Sequence, residues 1–221
     1  MSTQDSLHIP TYATVVPPPA CEPNNLPPGF PIERLHRFSV DQYHRMAEAG
    51  VFHPEERVEL IEGVIVEMAP IGLAHRFAVD QLTRLLGPMV ASDWYVAVQN
   101  PVSFQVSEPQ PDIAIIRGAP TDYRERHPGP DDVGLLIEVA DSSLDFDRRG
   151  KGFMYSRYNV PEYWIVNVVE DCIERYRRSP GQTAFGPCDV FNLHQSVPVE
   201  LDGKQYGEIK VIDLIANPHS G

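Results

Sequence analysis

The sequence predicts an α/β (α+β) domain with a central mixed β-sheet flanked by helices and preceded by an N-terminal helix and a hairpin. Short runs rich in valine and isoleucine alternate with longer stretches whose apolar residues recur at helical spacing. From Leu73 onward the predicted order is a helix, a group of strands, a second helix and further strands, which is typical of helices packed on the faces of one sheet. The length of 221 residues suits one such domain with additional arms.

The composition excludes several classes of protein. With 42% hydrophobic and 22% charged residues, the chain is neither collagen-like, nor a coiled coil, nor disordered throughout. No apolar run approaches the roughly 18 residues of a membrane helix, and the N-terminus lacks the pattern of a signal peptide. The three cysteines are odd in number and far apart, so we expect no disulfide framework, a cytoplasmic location and no membrane partner.

The first part of the chain is rich in proline. Eight of the 22 prolines lie in the first 31 residues, where they oppose regular structure because proline lacks an amide donor. We therefore expect residues 1–37 to form an extended or disordered arm, residues 38–215 to form the folded domain, and residues 216–221 to form a tail.

The N-terminal helix and hairpin carry local sequence signals. Ser39-Val40-Asp41-Gln42 fits a capping box, which predicts a helix that ends near Gly50. Two β-prone runs, Arg57–Glu62 and Val64–Met68, meet at a Glu-Gly pair and predict the hairpin.

The elements of the main domain follow in order. Helical spacing predicts a helix over Leu73–Val90, and a second helix over Phe146–Tyr158 is stopped by Asn159 and Pro161. Residues 117–132 are polar and rich in proline and glycine, which indicates a loop. The predicted strands are Trp94–Val98, Val102–Val106, Pro111–Ile116, Leu135–Ala140, Glu162–Val168 and Cys172–Tyr176, with one or two more in the tail, such as Val190–Leu193 and Ile209–Ile212.

Two buried-type strands each contain an acid that their apolar pattern does not explain. Asp112 lies at the start of one strand, and Glu138 interrupts the other. Acids are rarely fully buried unless they pair or bind a metal. If the strands are neighbours, the two carboxylates can converge and repel each other, and a cation such as Mg²⁺ relieves that repulsion. Alternatively, one acid faces solvent at a strand end or pairs with an arginine.

Lysine is scarce, and its position is informative. Lys151 is the sole lysine in the first 203 residues, and it lies on the helix that follows the Glu138 strand. Lysine can serve as a compact charge or as a proton carrier, which arginine does not do easily. A chance surface lysine is the alternative.

The net charge of −13 argues against a strong non-specific nucleic-acid binder. An acidic protein can still present a local basic strip, and two small clusters suggest one, although solvated surface charges explain them equally well. The clusters are Arg148, Arg149 and Lys151, and then Arg175, Arg177 and Arg178.

Several motifs occur together in a specific order. They are Glu59-Leu60-Ile61-Glu62-Gly63, His75, Pro111-Asp112, Glu138-Val139, the series Asp147, Lys151 and Tyr155, and the run Val160-Pro161-Glu162-Tyr163-Trp164-Ile165-Val166. With this ordered set, the chain resembles the Uma-two family, a branch of the PD-(D/E)XK nuclease superfamily. The match spans about residues 38–178, with a tail that extends to about residue 215.

The resemblance implies a restriction-endonuclease-like core and a metal-dependent endonuclease that hydrolyses phosphodiester bonds of DNA. It implies that Asp112 and Glu138 ligate Mg²⁺ or Mn²⁺, with the carbonyl of Val139 completing the shell. Asp112, Glu138 and Lys151 are then the catalytic residues. The expected partner is nucleic acid, with DNA favoured, and a homodimer suits an enzyme that cuts both strands.

One position departs from the family pattern. The superfamily lysine normally lies two residues after the second acid, where this chain has Ala140. Lys151 is the natural substitute, because a helix packed on the sheet can direct a side chain back to the same site. Asp141 also stands where related chains carry a serine, and it either adds a ligand or repels phosphate.

Three further residues are second-tier candidates for the same site. Glu59 is either a further acid of the site or an edge-strand carboxylate, and His75 is either a site residue or a helix-capping or surface histidine. Tyr155 is more typical of a core residue than of a catalytic one. The same holds for Tyr163 and Trp164, and Asp147 can simply form an i,i+4 ion pair with Lys151.

Two other functions compete with the nuclease. A nuclease-like fold that no longer cuts would act as a DNA- or protein-binding module, and Ala140 together with the charge of −13 favours that interpretation. A glycoside hydrolase could also use two acids, but it usually needs a large aromatic-lined cleft, and the chain has only two tryptophans.

Overall fold

The computed structural model describes residues 34–179 and 181–216. The chain divides into two units, residues 1–36 and 37–221, and every element below lies in the second. The predicted proline-rich arm falls outside the described residues except for its last four, and so does most of the predicted tail. In the described part, no helix has the length and apolar character needed to cross a membrane.

The N-terminal helix and hairpin form as their local signals predict. Helix α1 (Val40–Glu48) begins with a complete capping box, in which Ser39 and Gln42 each accept from the other's backbone amide. Strands β1 (Val58–Ile61) and β2 (Val64–Glu67) pair antiparallel. The residues between them, Glu62 and Gly63, have φ values of 48° and 76°, the left-handed conformation that a tight hairpin turn requires.

The cap gives a prediction of modest size. Because the Ser39 hydroxyl satisfies an otherwise unpaired amide of the first turn, Ser39→Ala should lower the free energy of unfolding by about 1 kcal/mol. Ser39→Gly, the matched variant, should cost only a few tenths of a kcal/mol, because glycine is tolerated at the cap. Urea unfolding measures both. Equal losses for the two variants would contradict the role given to the hydroxyl.

The central sheet in the described residues has six strands, and helix α2 (Leu73–Val90) packs against it. The bounds of α2 are those predicted. The strands lie in the order in which they occur along the chain, and only the β5–β6 pair is parallel, so the predicted mixed sheet is confirmed. The strands are β3 (Trp94–Val98), β4 (Ile113–Arg117), β5 (Val133–Ala140), β6 (Glu162–Asn167), β7 (Cys172–Arg177) and β8 (Asp189–Asn192).

Different elements cover the two faces of the sheet. Helix α2 and the two-stranded hairpin of β9 (Ser196–Leu201) and β10 (Lys204–Lys210) pack on one face. The other face is covered by a helical run from Leu144 to Arg157. All eight residues of β5 are buried, and alternation along the strand directs Glu138 and Ala140 toward this second face.

The helical run contains a π-turn. It consists of α3 (Leu144–Phe146), the π-segment Asp147–Lys151 and α4 (Gly152–Arg157). The amide of Gly152 bonds the carbonyl of Asp147, five residues earlier, which marks the wider turn. Such insertions often occur at functional sites, and this one carries two buried charged residues, Asp147 and Lys151.

Among the described residues, one strand prediction is wrong and another is wrong in part. Val102–Val106 joins no ladder: the amide of Val102 bonds Pro109 and that of Phe104 bonds Ser107, so the segment folds back on itself. Its alternating pattern arises because Val102 and Phe104 both enter the core. In the tail, Ile209–Ile212 is cut short because a 3₁₀ turn begins at Val211.

Candidate active site

Asp112 lies at the end of the sheet, immediately before β4. The last register pair of β4 and β5 is Ile113 with Ile137, so the next pair along the strands is Asp112 with Glu138. Asp112 is only 6% exposed. Its Oδ2 accepts from the Val139 amide at 2.9 Å and lies 2.9 Å from Nε2 of His75. Its Oδ1 accepts from the Gln99 amide group at 3.1 Å.

These contacts determine the charge of Asp112. Burial alone would raise the pKa of this carboxyl, but His75 and the hydrogen bonds from Val139 and Gln99 outweigh it. The pKa of Asp112 is therefore below its usual value, so the group is an anion at neutral pH. A buried, oriented carboxylate of this kind is well suited to act as a ligand of a cation.

Glu138 contacts two groups of the helical run. Nζ of Lys151 lies 3.0 Å from Oε1 of Glu138, and the Tyr155 hydroxyl donates to the same oxygen at 2.7 Å. Lys151 therefore reaches back from the π-segment to the strand that carries Glu138. Tyr155 is fully buried, as are Tyr163 and Trp164, so the prediction that these aromatic residues belong to the core is confirmed.

Glu59 completes the environment of Lys151. Its Oε1 lies 3.1 Å from Nζ of Lys151, and its Oε2 accepts from the backbone amide of Gln110. Glu59 is 2% exposed, so it is not an edge carboxylate in solvent. Asp147 is equally buried and accepts from the Ser143 hydroxyl at 2.5 Å.

The cluster contains more negative than positive charge. In the described part of the chain, three buried carboxyl groups, Glu138, Glu59 and Asp147, act on the ammonium of Lys151. A fourth, Asp112, acts on Glu138. Burial raises the pKa of Glu138, and although Lys151 opposes this, the other three acids add to it, so that the pKa stays well above normal. Burial would lower the pKa of Lys151, but the surrounding carboxylates raise it, so the lysine stays charged.

This donor set fits a hard divalent cation. Asp112, Glu138 and Val139 line one cleft with Glu59, His75 and Lys151. The positive charge of Lys151 does not balance the negative charge of the carboxylates. Bound Mg²⁺ or Mn²⁺ would supply the additional positive charge. His75 also has a buried Nδ1 at the same cleft, and this atom has no hydrogen-bond partner among the described residues. Asp112 and Glu138 do not belong to a compact group of three ligand side chains; among the described residues, such groups occur elsewhere.

The structure explains the departure at Ala140. This residue is fully buried in the apolar cluster under the helical run, a place where a lysine would lose its hydration. Asp141, by contrast, is exposed and lines the cleft beside Ser142 and Ser143. Asp141, the first residue after β5, therefore faces the cleft, while Ala140 does not.

Sequence reasoning missed part of the site. Asp147 forms no ion pair with Lys151 among the ion pairs of residues 34–179 and 181–216, because the π-turn alters the helical spacing on which the i,i+4 prediction rested. Gln99 was not predicted to belong to the site, and its only local signal in the sequence is its position directly before Asn100-Pro101. It adopts φ = 50° and bonds Asp112 through both backbone and side chain.

The two basic clusters do not form an unneutralised strip. Lys151 is buried in the cleft, Arg175 is 2% exposed, and Arg178 donates to the carbonyls of Ser156 and Gln182. Four arginines of the two clusters form ion pairs with nearby acids. The pairs are Arg148 with Glu170 and Glu174, Arg149 with Asp145, Arg175 with Glu162 and Glu200, and Arg177 with Asp189 and Glu200.

The fold is similar to that of a protein of known structure. The crystal structure of "a putative nuclease belonging to DUF820" from Anabaena variabilis ATCC 29413 has a similar fold, with a TM-score of 0.61 and 16% identity over 81% of this chain and 98% of that one. The two proteins therefore share a fold, in agreement with the mixed α/β core that the resemblance implied.

The family follows from the sequence itself. A family model, Uma2, described as "Putative restriction endonuclease", matches residues 40–203, and the chain belongs to this family. None of the curated proteins compared with the chain matches it. The predicted resemblance is thus confirmed, and membership of this family does not support the glycoside hydrolase interpretation.

Proposed function

We propose that the protein is a metal-dependent endonuclease that hydrolyses phosphodiester bonds of DNA. Asp112 and Glu138, with the carbonyl of Val139, hold Mg²⁺ or Mn²⁺, and Lys151 assists the reaction. The proposal rests on the family, on the nuclease fold and above all on one observation. The ammonium of Lys151 lies 3.0 Å from Glu138, although Lys151 belongs to a helix and not to the strand.

Each residue then has a distinct task. When bound, the metal polarises the scissile phosphate and lowers the pKa of a water molecule. Asp112 is held as an anion by His75, Val139 and Gln99, so it is ready to bind a cation. We assign to Lys151 the role of orienting the attacking water or stabilising the negative charge that develops on the phosphate.

The direct test is cleavage of DNA. Incubated with Mg²⁺ or Mn²⁺, the full chain should nick or linearise supercoiled plasmid, and a chelator should stop the reaction. Single-stranded DNA and RNA of matched length identify the substrate, and gel filtration tests the predicted homodimer. If no nucleic acid is cut and calorimetry detects no Mn²⁺ binding, the proposal is wrong.

A second function is favoured by the burial of Ala140. A nuclease-like protein without the usual lysine can retain the fold as a DNA- or protein-binding module. Such a module need not bind Mn²⁺, whereas the enzyme must. Binding of DNA without Mn²⁺ binding and without cleavage would therefore support the module.

A further inference from the structure

We propose a second metal site in this protein, for Zn²⁺, formed by His44, Glu108 and His127. None of these three residues lines the cleft that contains Asp112 and Glu138. They come from separate parts of the chain: helix α1, the segment before β4, and the loop between β4 and β5. The site is independent of the proposed nuclease function.

The geometry suits a small cation. One ligand atom from each of the three side chains lies within 4.8 Å of the other two. Nε2 of His44 is 2.7 Å from Oε1 of Glu108. A tetrahedral zinc ion with bonds of about 2.0–2.2 Å keeps its donor atoms about 3.3 Å apart, so small side-chain rotations bring the three donors into place.

Glu108 is already fixed for this role. It is 3% exposed, and its backbone is bonded in both directions to Leu60 of β1. Its second carboxylate oxygen accepts from the Ser103 hydroxyl, an orienting contact of the kind that metal-bound carboxylates commonly have. In the described part of the chain, no lysine or arginine pairs with Glu108, so this buried carboxylate has only an imidazole as its charge partner.

The neighbouring arginine does not occupy the site. Arg126 precedes His127, but its guanidinium is bound to both oxygens of Asp132, at 2.6 and 3.2 Å, and stacks over Tyr123. His127 itself is exposed, and with His44 it lines an open depression on the surface. An ion can therefore enter from solvent, and a water molecule can take the fourth position.

The ligand chemistry selects the metal. Two imidazoles and one carboxylate suit zinc, whereas Mg²⁺ prefers oxygen ligands and retained waters. Because the ligands belong to three separate segments, the bound ion would cross-link α1 and the 117–132 loop to the body of the domain. Zinc would therefore stabilise the folded chain.

Calorimetric titration of the tag-free full chain with Zn²⁺ tests the site. The Asp112→Asn substitution should weaken metal binding in the Asp112/Glu138 cleft. This variant should therefore retain one zinc-binding event, at the site proposed here. When added to Asp112→Asn, His127→Ala should abolish this event, and Ser103→Ala should weaken it about 10- to 100-fold. His194→Ala removes an exposed histidine elsewhere and should bind zinc as the wild type does.

Thermal unfolding gives a second readout. Zinc should raise the midpoint of Asp112→Asn, but not that of the double variant Asp112→Asn, His127→Ala. His127 is exposed, so its replacement should leave the fold intact without metal. Unchanged zinc affinity in the double variant relative to Asp112→Asn, or zinc binding that Asp112→Asn alone removes, would overturn the proposal. Neither result depends on whether the protein cuts DNA.

Discussion

Asp112→Asn is expected to abolish metal-dependent cleavage, with a loss of at least about 10²–10³-fold in rate, and to weaken Mn²⁺ binding. The loss corresponds to several kcal/mol, as expected when a metal that acts as a Lewis acid loses an anionic ligand. Asparagine keeps the shape of the side chain, removes its charge and replaces one of its two acceptor oxygens by an amide donor. It also relieves the repulsion from Asp112 that raises the pKa of Glu138, so the variant should remain folded.

The control for this experiment is Asp80→Asn. Asp80 is an exposed acid on helix α2, so its replacement changes the net charge equally without entering the cleft. Plasmid cleavage and Mn²⁺ calorimetry on both variants separate a site effect from a charge effect. An Asp112→Asn protein that cuts at the wild-type rate would exclude Asp112 as a metal ligand.

The alternation of buried residues explains why part of the site was predictable. Asp112 and Glu138 were conspicuous because Asp112 lies at the start of one apolar strand and Glu138 interrupts another, and buried polar residues need a partner. The antiparallel register of β4 and β5 then brings them together. Lys151 was predictable because a helix that follows a strand packs on the sheet from which it departs.

Other contacts depend on long-range packing that no local pattern records. His75 meets Asp112 across 37 residues, and Glu59 meets Lys151 from a hairpin outside the main sheet. The prediction of an i,i+4 ion pair between Asp147 and Lys151 failed because the sequence around Asp147 gives no signal of the π-turn, which alters the helical spacing. By contrast, the β9–β10 hairpin had a signal that was overlooked: Asp202-Gly203, with φ values of 51° and 75°, is a typical hairpin turn.

Lys151→Met is expected to lower the free energy of unfolding by about 3–5 kcal/mol, in addition to abolishing cleavage. Methionine fills a similar volume without charge, so the variant leaves Glu59 and Glu138 buried without their shared cation. Removing one partner of a buried ion pair has a cost of this size, because the remaining charge is not solvated. Lys210→Met, at an exposed lysine on β10, is the matched control and should change stability little.

The pH dependence of this effect tests its cause. Lys151 opposes the rise in the pKa of Glu138, so without the lysine that pKa rises further. A carboxyl with a raised pKa in the folded state favours folding when protonated, and this stability is lost as pH rises. The deficit of Lys151→Met should therefore grow as the pH rises above the pKa that Glu138 has in the folded wild type.

A double variant tests whether the cost arises from unpaired carboxylates. Glu59→Gln removes one of the acids that contact Lys151. If the cost of Lys151→Met is electrostatic, it should be smaller in the Glu59→Gln background than in the wild type, and urea unfolding of the four proteins gives the coupling energy. An additive result with no dependence on pH would instead assign the loss to packing, and the charge balance of the cleft would not require Lys151.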